Sequence, residues 1–125
     1  MTKRIRITAG DVTLVGELND SSTAEKVWAA LPIEAGAGTW GDEIYFGIPV
    51  EAEQAPDARA EVEVGTLAYW PMGNAFCIFF GPTPSSRGDK PRAYSPVNII
   101  GRTVDDATQL RTVANGAPVR IEPAE

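Results

Sequence analysis

Asp42, Glu43 and Tyr45 are the residues whose types and spacing could do acid–base chemistry. Adjacent carboxyls beside Trp40, on a segment bent at Gly41, can raise one another's pKa by repulsion and by desolvation. Successive strand positions face opposite sides, however, so these two acids are not a natural pair. The other roles open to them are a solvated turn for Asp42, and a backbone hydrogen bond or a place lining a cavity mouth for Glu43. Trp40, Trp70 and Met72 carry a binding reading, because apolar residues at strand ends beside Gly and Pro rim pockets. They fit core packing equally well. Glu43 and Asn74 would be the sparse polar groups of a concave apolar surface that also includes Tyr45.

Much familiar chemistry is excluded. The chain has no histidine. That removes His-based triads and His-ligated zinc. Carboxylates alone could still hold a metal, but no EF-hand spacing occurs. No metal or cofactor is expected. Gly36-x-Gly38-x-x-Gly41 matches a dinucleotide fingerprint in letters only. Its mechanism needs a strand before and a helix after, and here the order is reversed. Asn19-Asp20-Ser21 and Arg87-Gly88-Asp89 read as capping and turn residues. The one cysteine, Cys77, lies between Phe76 and Ile78, the setting of a buried small hydrophobe.

The formal net charge of −6 opposes a phosphate backbone, so nucleic acid is not an expected partner. No apolar run approaches the ~20 residues that span a bilayer. The start, Met1-Thr2-Lys3-Arg4-Ile5-Arg6, carries charge with no apolar stretch after it. No signal peptide is expected, and the cytosol is the expected location. A length of 125 residues suits one domain, 1–125.

Two aromatic stretches, 39–46 and 69–81, hold eight of the ten Phe, Trp and Tyr residues. Each reads as a loop rim running into a buried strand. Strands are expected near 4–9, 12–18, 43–49, 67–70, 75–80, 97–104 and 118–122. Ile44, Phe46 and Ile48 share one face, with Glu43 and Tyr45 on the other. A helix is expected over about 22–31, with Ser22 and Glu25 as a capping box, and a second over 106–113 with Ala107, Leu110 and Ala114 inward. Gly81–Pro96, with four prolines and three serines, reads as a surface lid beside the groove. Many short strands with two separated helices favour a closed antiparallel β-barrel with an aromatic mouth.

Three blocks carry a resemblance. They are Trp40-Gly41-Asp42-Glu43-Ile44-Tyr45-Phe46, then Tyr69-Trp70-Pro71-Met72-Gly73-Asn74-Ala75 with Phe79-Phe80-Gly81-Pro82-Thr83-Pro84, and Ser95-Pro96-Val97-Asn98-Ile99-Ile100-Gly101. In order and approximate spacing they resemble a small family of uncharacterised bacterial and archaeal proteins with a minimal cyclophilin-like barrel. Asn98–Val104 also resembles a strand of true cyclophilins. Ala75–Phe80 resembles the strand that walls their proline groove, which adds Phe79 to the ligand-binding candidates. The resemblance does not extend to the catalytic arginine: residues 33–47 contain none. The groove's glutamine and histidine are missing too. Arg87 or Arg92 could substitute from the long loop, though a mobile arginine is poorly preorganised.

The expected function is therefore binding of a small molecule or short peptide, without efficient prolyl isomerisation. The alternatives are a divergent peptidyl-prolyl isomerase and a small-molecule enzyme using Glu43 and Tyr45. A homodimer through an exposed apolar edge stays open.

Overall fold

The computed structural model describes residues 3–124. Met1 and Thr2, which begin the charged start, and Glu125 lie outside the described residues. The chain is mainly β. Among the described residues, ten strands run in the order β1 (Lys3–Ala9), β2 (Val12–Leu18), β3 (Ile33–Gly36), β4 (Gly38–Thr39), β5 (Glu43–Gly47), β6 (Arg59–Glu61), β7 (Thr66–Trp70), β8 (Ala75–Phe79), β9 (Arg92–Thr103) and β10 (Pro118–Pro123). Helix α1 (Ser22–Ala29) follows β2, and a 3-10 helix (Ala107–Thr112) follows β9.

Every strand pairing is antiparallel, and the ladder runs β3-β10-β1-β2-β9-β7-β8-β5-β4, with β6 added on β9. Its two ends, β3 and β4, are consecutive pieces of chain separated by Ala37. The sheet thus curls until both edges meet in one stretch, but the ladder does not close. At Ala37 the backbone N–H donates to Ala117 O and the carbonyl accepts from Gly116 N, so its hydrogen bonds go to a turn. The expectation of a closed barrel is corrected to an open, strongly curled sheet.

Alternation explains how the sheet buries two faces. Ile5, Ile7 and Ala9 of β1, Leu14 and Leu18 of β2, and Val119 and Ile121 of β10 point into the main core. From β5, β8 and β7 the same core takes Ile44 and Phe46, Phe76 and Ile78, and Leu67 and Tyr69. Phe46 and Phe76 stack with centroids 5.3 Å apart. The intervening residues Ala68, Ala75, Cys77 and Phe79 form a second cluster on the opposite face with Val62, Ala93 and Val97. That is why the Ala75–Phe79 run is apolar throughout: both of its faces are covered.

Several local expectations shift. The cap of α1 is Ser21, whose Oγ accepts from Ala24 N at 3.2 Å, so Ser22 and Glu25 make no capping box. Ala107 and Leu110 are buried, but Ala114 is exposed, because the helix ends at Thr112. The lid also contracts. Strand β9 begins at Arg92, leaving residues 81–91 as loop. That loop is fastened: Thr83 is buried, its N–H donates to Ser86 Oγ at 2.8 Å, and its hydroxyl donates to Arg92 O. Pro96, the end of the expected lid, lies inside β9 where the β6–β9 register slips, between Arg92 opposite Glu61 and Val97 opposite Arg59. A bulge tolerates a residue without an N–H.

Asn98 ties this region together. Its amide donates to Thr23 Oγ1 at 3.1 Å and Glu53 O at 2.9 Å, and its Oδ1 accepts from Ala55 N at 2.7 Å. Where β2 meets β9, Leu18 pairs with Gly101, and a Cβ at Gly101 would run into the Glu17 carbonyl oxygen. Backbone cannot swing aside as a side-chain end can. Gly101→Ala is therefore expected to cost about 3 kcal/mol or more, read as a lowered urea midpoint.

Candidate functional site

A cavity of about 240 Å³ opens on the second face of the sheet, lined by Trp40, Glu43, Tyr45, Trp70, Cys77, Ala93, Tyr94 and Val97. It is not an end-of-barrel mouth. It lies across β5, β8 and the first half of β9, walled by rings from the strand ends.

Local sequence places each ring. Gly38 pairs with Tyr45 across β4 and β5, and the Tyr45 ring lies directly over it, where a Cβ would be 2.7 Å from Cζ. Gly73 does the same for Trp70, whose six-membered ring covers the position its Cβ would take. The Trp70 indole N–H donates to Ser95 Oγ at 2.6 Å, and Ser95 in turn lies 3.4 Å from Met72 Sδ. The indole is thus held in place from β9. Tyr94 stands between the two tryptophans, with centroids 6.2 Å from each and ring planes at 73° to Trp40 and 82° to Trp70. Edge-to-face pairs of this kind are favourable arrangements for aromatic quadrupoles.

Glu43 is the one carboxyl among the lining residues. It is only 6% exposed. It pairs with Phe79 in the register, and Cys77, the partner of Tyr45, is its diagonal neighbour on the same face. Burial pushes the Glu43 carboxyl from the ordinary 4.5 up to about 7, against a smaller lowering by the neighbouring Cys77 thiol. The Cys77 thiol is itself pushed well up, by burial first and then by the Glu43 charge and hydrogen bond. A thiol so held stays protonated and is a poor nucleophile. Among the described residues no cluster of three Cys, Asp or Glu side chains could hold a metal ion.

Four of the residues singled out in the sequence meet here: Trp40, Glu43, Tyr45 and Trp70. Three do not line the cavity. Met72 is 75% exposed at its edge and reaches the site only through Ser95. Asn74 occupies the turn after β7 with φ 48° and accepts from Tyr69 Oη at 3.1 Å, on the side of Glu51 and Glu53. Phe79 is fully buried in the second cluster, beneath the site. Asp42 turns away from Glu43 and lies 3.9 Å from Arg111. Sequence reasoning missed Ala93 and Tyr94, hidden in a segment read as loop; it read Cys77 as a buried hydrophobe and Val97 only as the start of a strand. The available signal was the alternation of Ala93, Ser95 and Val97, broken by Pro96.

A family model described as cyclophilin-like matches residues 3–122. Among curated proteins nothing matches. The solution structure of a hypothetical protein from Archaeoglobus fulgidus is similar over 98% of this chain and 95% of that one, with 41% identity and a TM-score of 0.83. With the family model spanning nearly all of its length, and a relative this similar in both sequence and fold, the chain belongs to the cyclophilin-like family.

Proposed function

We propose that this protein binds a small molecule in the aromatic cavity over Glu43 and has no efficient prolyl isomerase activity. The observation that carries the reading is the cavity itself: a preformed hollow with four aromatic rings and one buried carboxyl. Apolar area supplies affinity, and a single polar group supplies orientation. At about 240 Å³ it falls below the ~300–1,000 Å³ of drug-sized pockets, which suits a small ligand or one side chain of a short peptide. A thermal-shift screen against metabolite pools is expected to raise the Tm with at least one pool, and Trp40→Ala to remove that rise. No shift with any pool overturns the reading. The expectation of a cytosolic protein goes with it.

The isomerase alternative needs a donor aimed at the prolyl nitrogen to help lower a barrier of ~18–20 kcal/mol. Neither Arg87 nor Arg92 is among the lining residues. Relaxation of a cis-prolyl peptide is therefore expected to run at its uncatalysed rate with the protein present. Acceleration that disappears in Arg87→Ala or Arg92→Ala would make isomerisation the better reading.

One observation favours acid–base chemistry on the bound molecule as a second reading. Glu43 titrates near neutrality beside Tyr45, as a general acid or base should. Mass spectrometry of a shift-positive pool before and after incubation separates binding from turnover.

A further inference from the structure

We propose that the ligand of this cavity is a small organic cation with a methylated ammonium centre, held against Glu43 and bordered by Trp40, Tyr45, Trp70 and Tyr94. The inference rests on the binding reading above and names the chemical class of the occupant.

Three features of the lining select that class. The first is charge. Glu43 is its one acid, and the lining holds no lysine or arginine. An anionic occupant would meet a like charge with nothing to neutralise it. A neutral apolar occupant would strip the remaining water from a carboxyl already only 6% exposed and leave it unpaired. A cation turns the same burial into attraction.

The second feature is the walls. Two indoles and two phenols surround one small space, and the negative faces of such rings attract a cation, most strongly at tryptophan and when water is excluded. Two of the rings are positioned in advance, Trp70 by Ser95 and Tyr45 by its seat over Gly38, while Tyr94 leans edge-to-face on both tryptophans from an exposed position, 71% open to solvent. Trp70 and Tyr45 have little side-chain entropy left to lose on binding.

The third feature is the balance between acceptors and apolar wall. A primary ammonium carries three N–H donors, each of which needs a partner when buried. The acceptors of the lining side chains are the two Glu43 oxygens and the phenol oxygens of Tyr45 and Tyr94, and the rest of the lining is indole, thiol and aliphatic surface that accepts poorly. A methylated ammonium brings methyl groups to the apolar walls and needs no more than the Glu43 charge. The titratable groups that share the cavity with Glu43 are Cys77 from β8, Tyr45 from its own strand and Tyr94 from β9. None of them is cationic at any pH, so none competes for the carboxylate.

The test uses choline, its neutral carbon isostere 3,3-dimethylbutan-1-ol, and ethanolamine as the primary-ammonium control. Binding is read from the indole NMR signals of Trp40 and Trp70. Choline is expected to bind at least about tenfold more tightly than the isostere and more tightly than ethanolamine. Its affinity should rise from pH 6 to pH 8 as Glu43 loses its proton. In Glu43→Gln the preference over the isostere should shrink to the few-fold, about two- to fivefold, that the rings alone supply, and the pH dependence should vanish. Equal binding of choline and isostere by the wild type overturns the inference and leaves the binding site standing. If none of the three compounds binds, a shift of the same indoles by a metabolite pool again overturns only the cation. If the pools leave them unmoved as well, both readings fail.

Discussion

Glu43→Gln should make the protein about 3 kcal/mol more stable than the wild type at pH 8 and leave it unchanged at pH 4. Burial raises the carboxyl from 4.5 to about 7 in the folded chain. Below the unfolded value the acid is protonated in both states, and it contributes no pH dependence. Between 4.5 and about 7 the folded state keeps a proton that the unfolded state has released, so wild-type stability falls as pH rises. Above that window the whole cost of a desolvated charge is present. Glutamine has nearly the shape of the neutral acid and does not titrate. Urea unfolding of both proteins at the two pH values checks this, since the other titrating groups cancel in the difference. A gap that is the same at both pH values would mean that Glu43 is solvated. A residue that weakens the fold at neutral pH, where leucine or glutamine would not, is the kind of local conflict that function maintains.

Trp70→Ala should weaken ligand binding by more than about tenfold while costing only about 1–2 kcal/mol of stability. Trp70 is half-buried at the margin of the second cluster and is held by one hydrogen bond to Ser95. Removing it opens the cavity to water and undoes two of its walls, because Tyr94 leans edge-to-face on the indole. Phe79→Ala is the matched control. Phe79 is fully buried one strand away, and its truncation should cost the ~3–5 kcal/mol of a core aromatic. Paired denaturation and ligand titration on the two variants separates wall from core. A Trp70→Ala protein as unstable as Phe79→Ala would return Trp70 to the core and remove the strongest wall of the site.

The periodicities that depend on long alternating runs were legible in the sequence. Ile5, Ile7 and Ala9 announce β1, and Ile44 with Phe46 against Glu43 with Tyr45 announces the two faces of β5. What escaped depends on long-range pairing. Strands β3, β4 and β6 are two to four residues long, and β4 and the end of β3 are built on glycines. Their extended form is imposed by β10, β5 and β9, which no local pattern reveals. That the sheet stays open likewise turned on two backbone hydrogen bonds at Ala37, which its buried methyl side chain does not advertise. The site was half legible for the same reason. Glycine and aromatic residues marked Trp40, Tyr45 and Trp70, and strand alternation turned Glu43 to their side. Tyr94 stayed hidden because two prolines disguised the first half of β9 as loop. Phe79 was assigned to the site from the resemblance of its strand and Asn74 from the turn beside Trp70, but a full-depth strand buries the first and a left-handed turn points the second away.

The three tryptophans allow the central claim to be tested in one spectrum. Trp40 and Trp70 line the cavity, while Trp28 packs on the main core from α1. Titrating nitrogen-labelled protein with choline, or with a metabolite pool that raises its Tm, should move the indole signals of Trp40 and Trp70 together and leave that of Trp28 in place. A ligand that shifts Trp28 instead, or that stabilises the protein while moving neither cavity indole, would contradict the assignment of this face as the binding site.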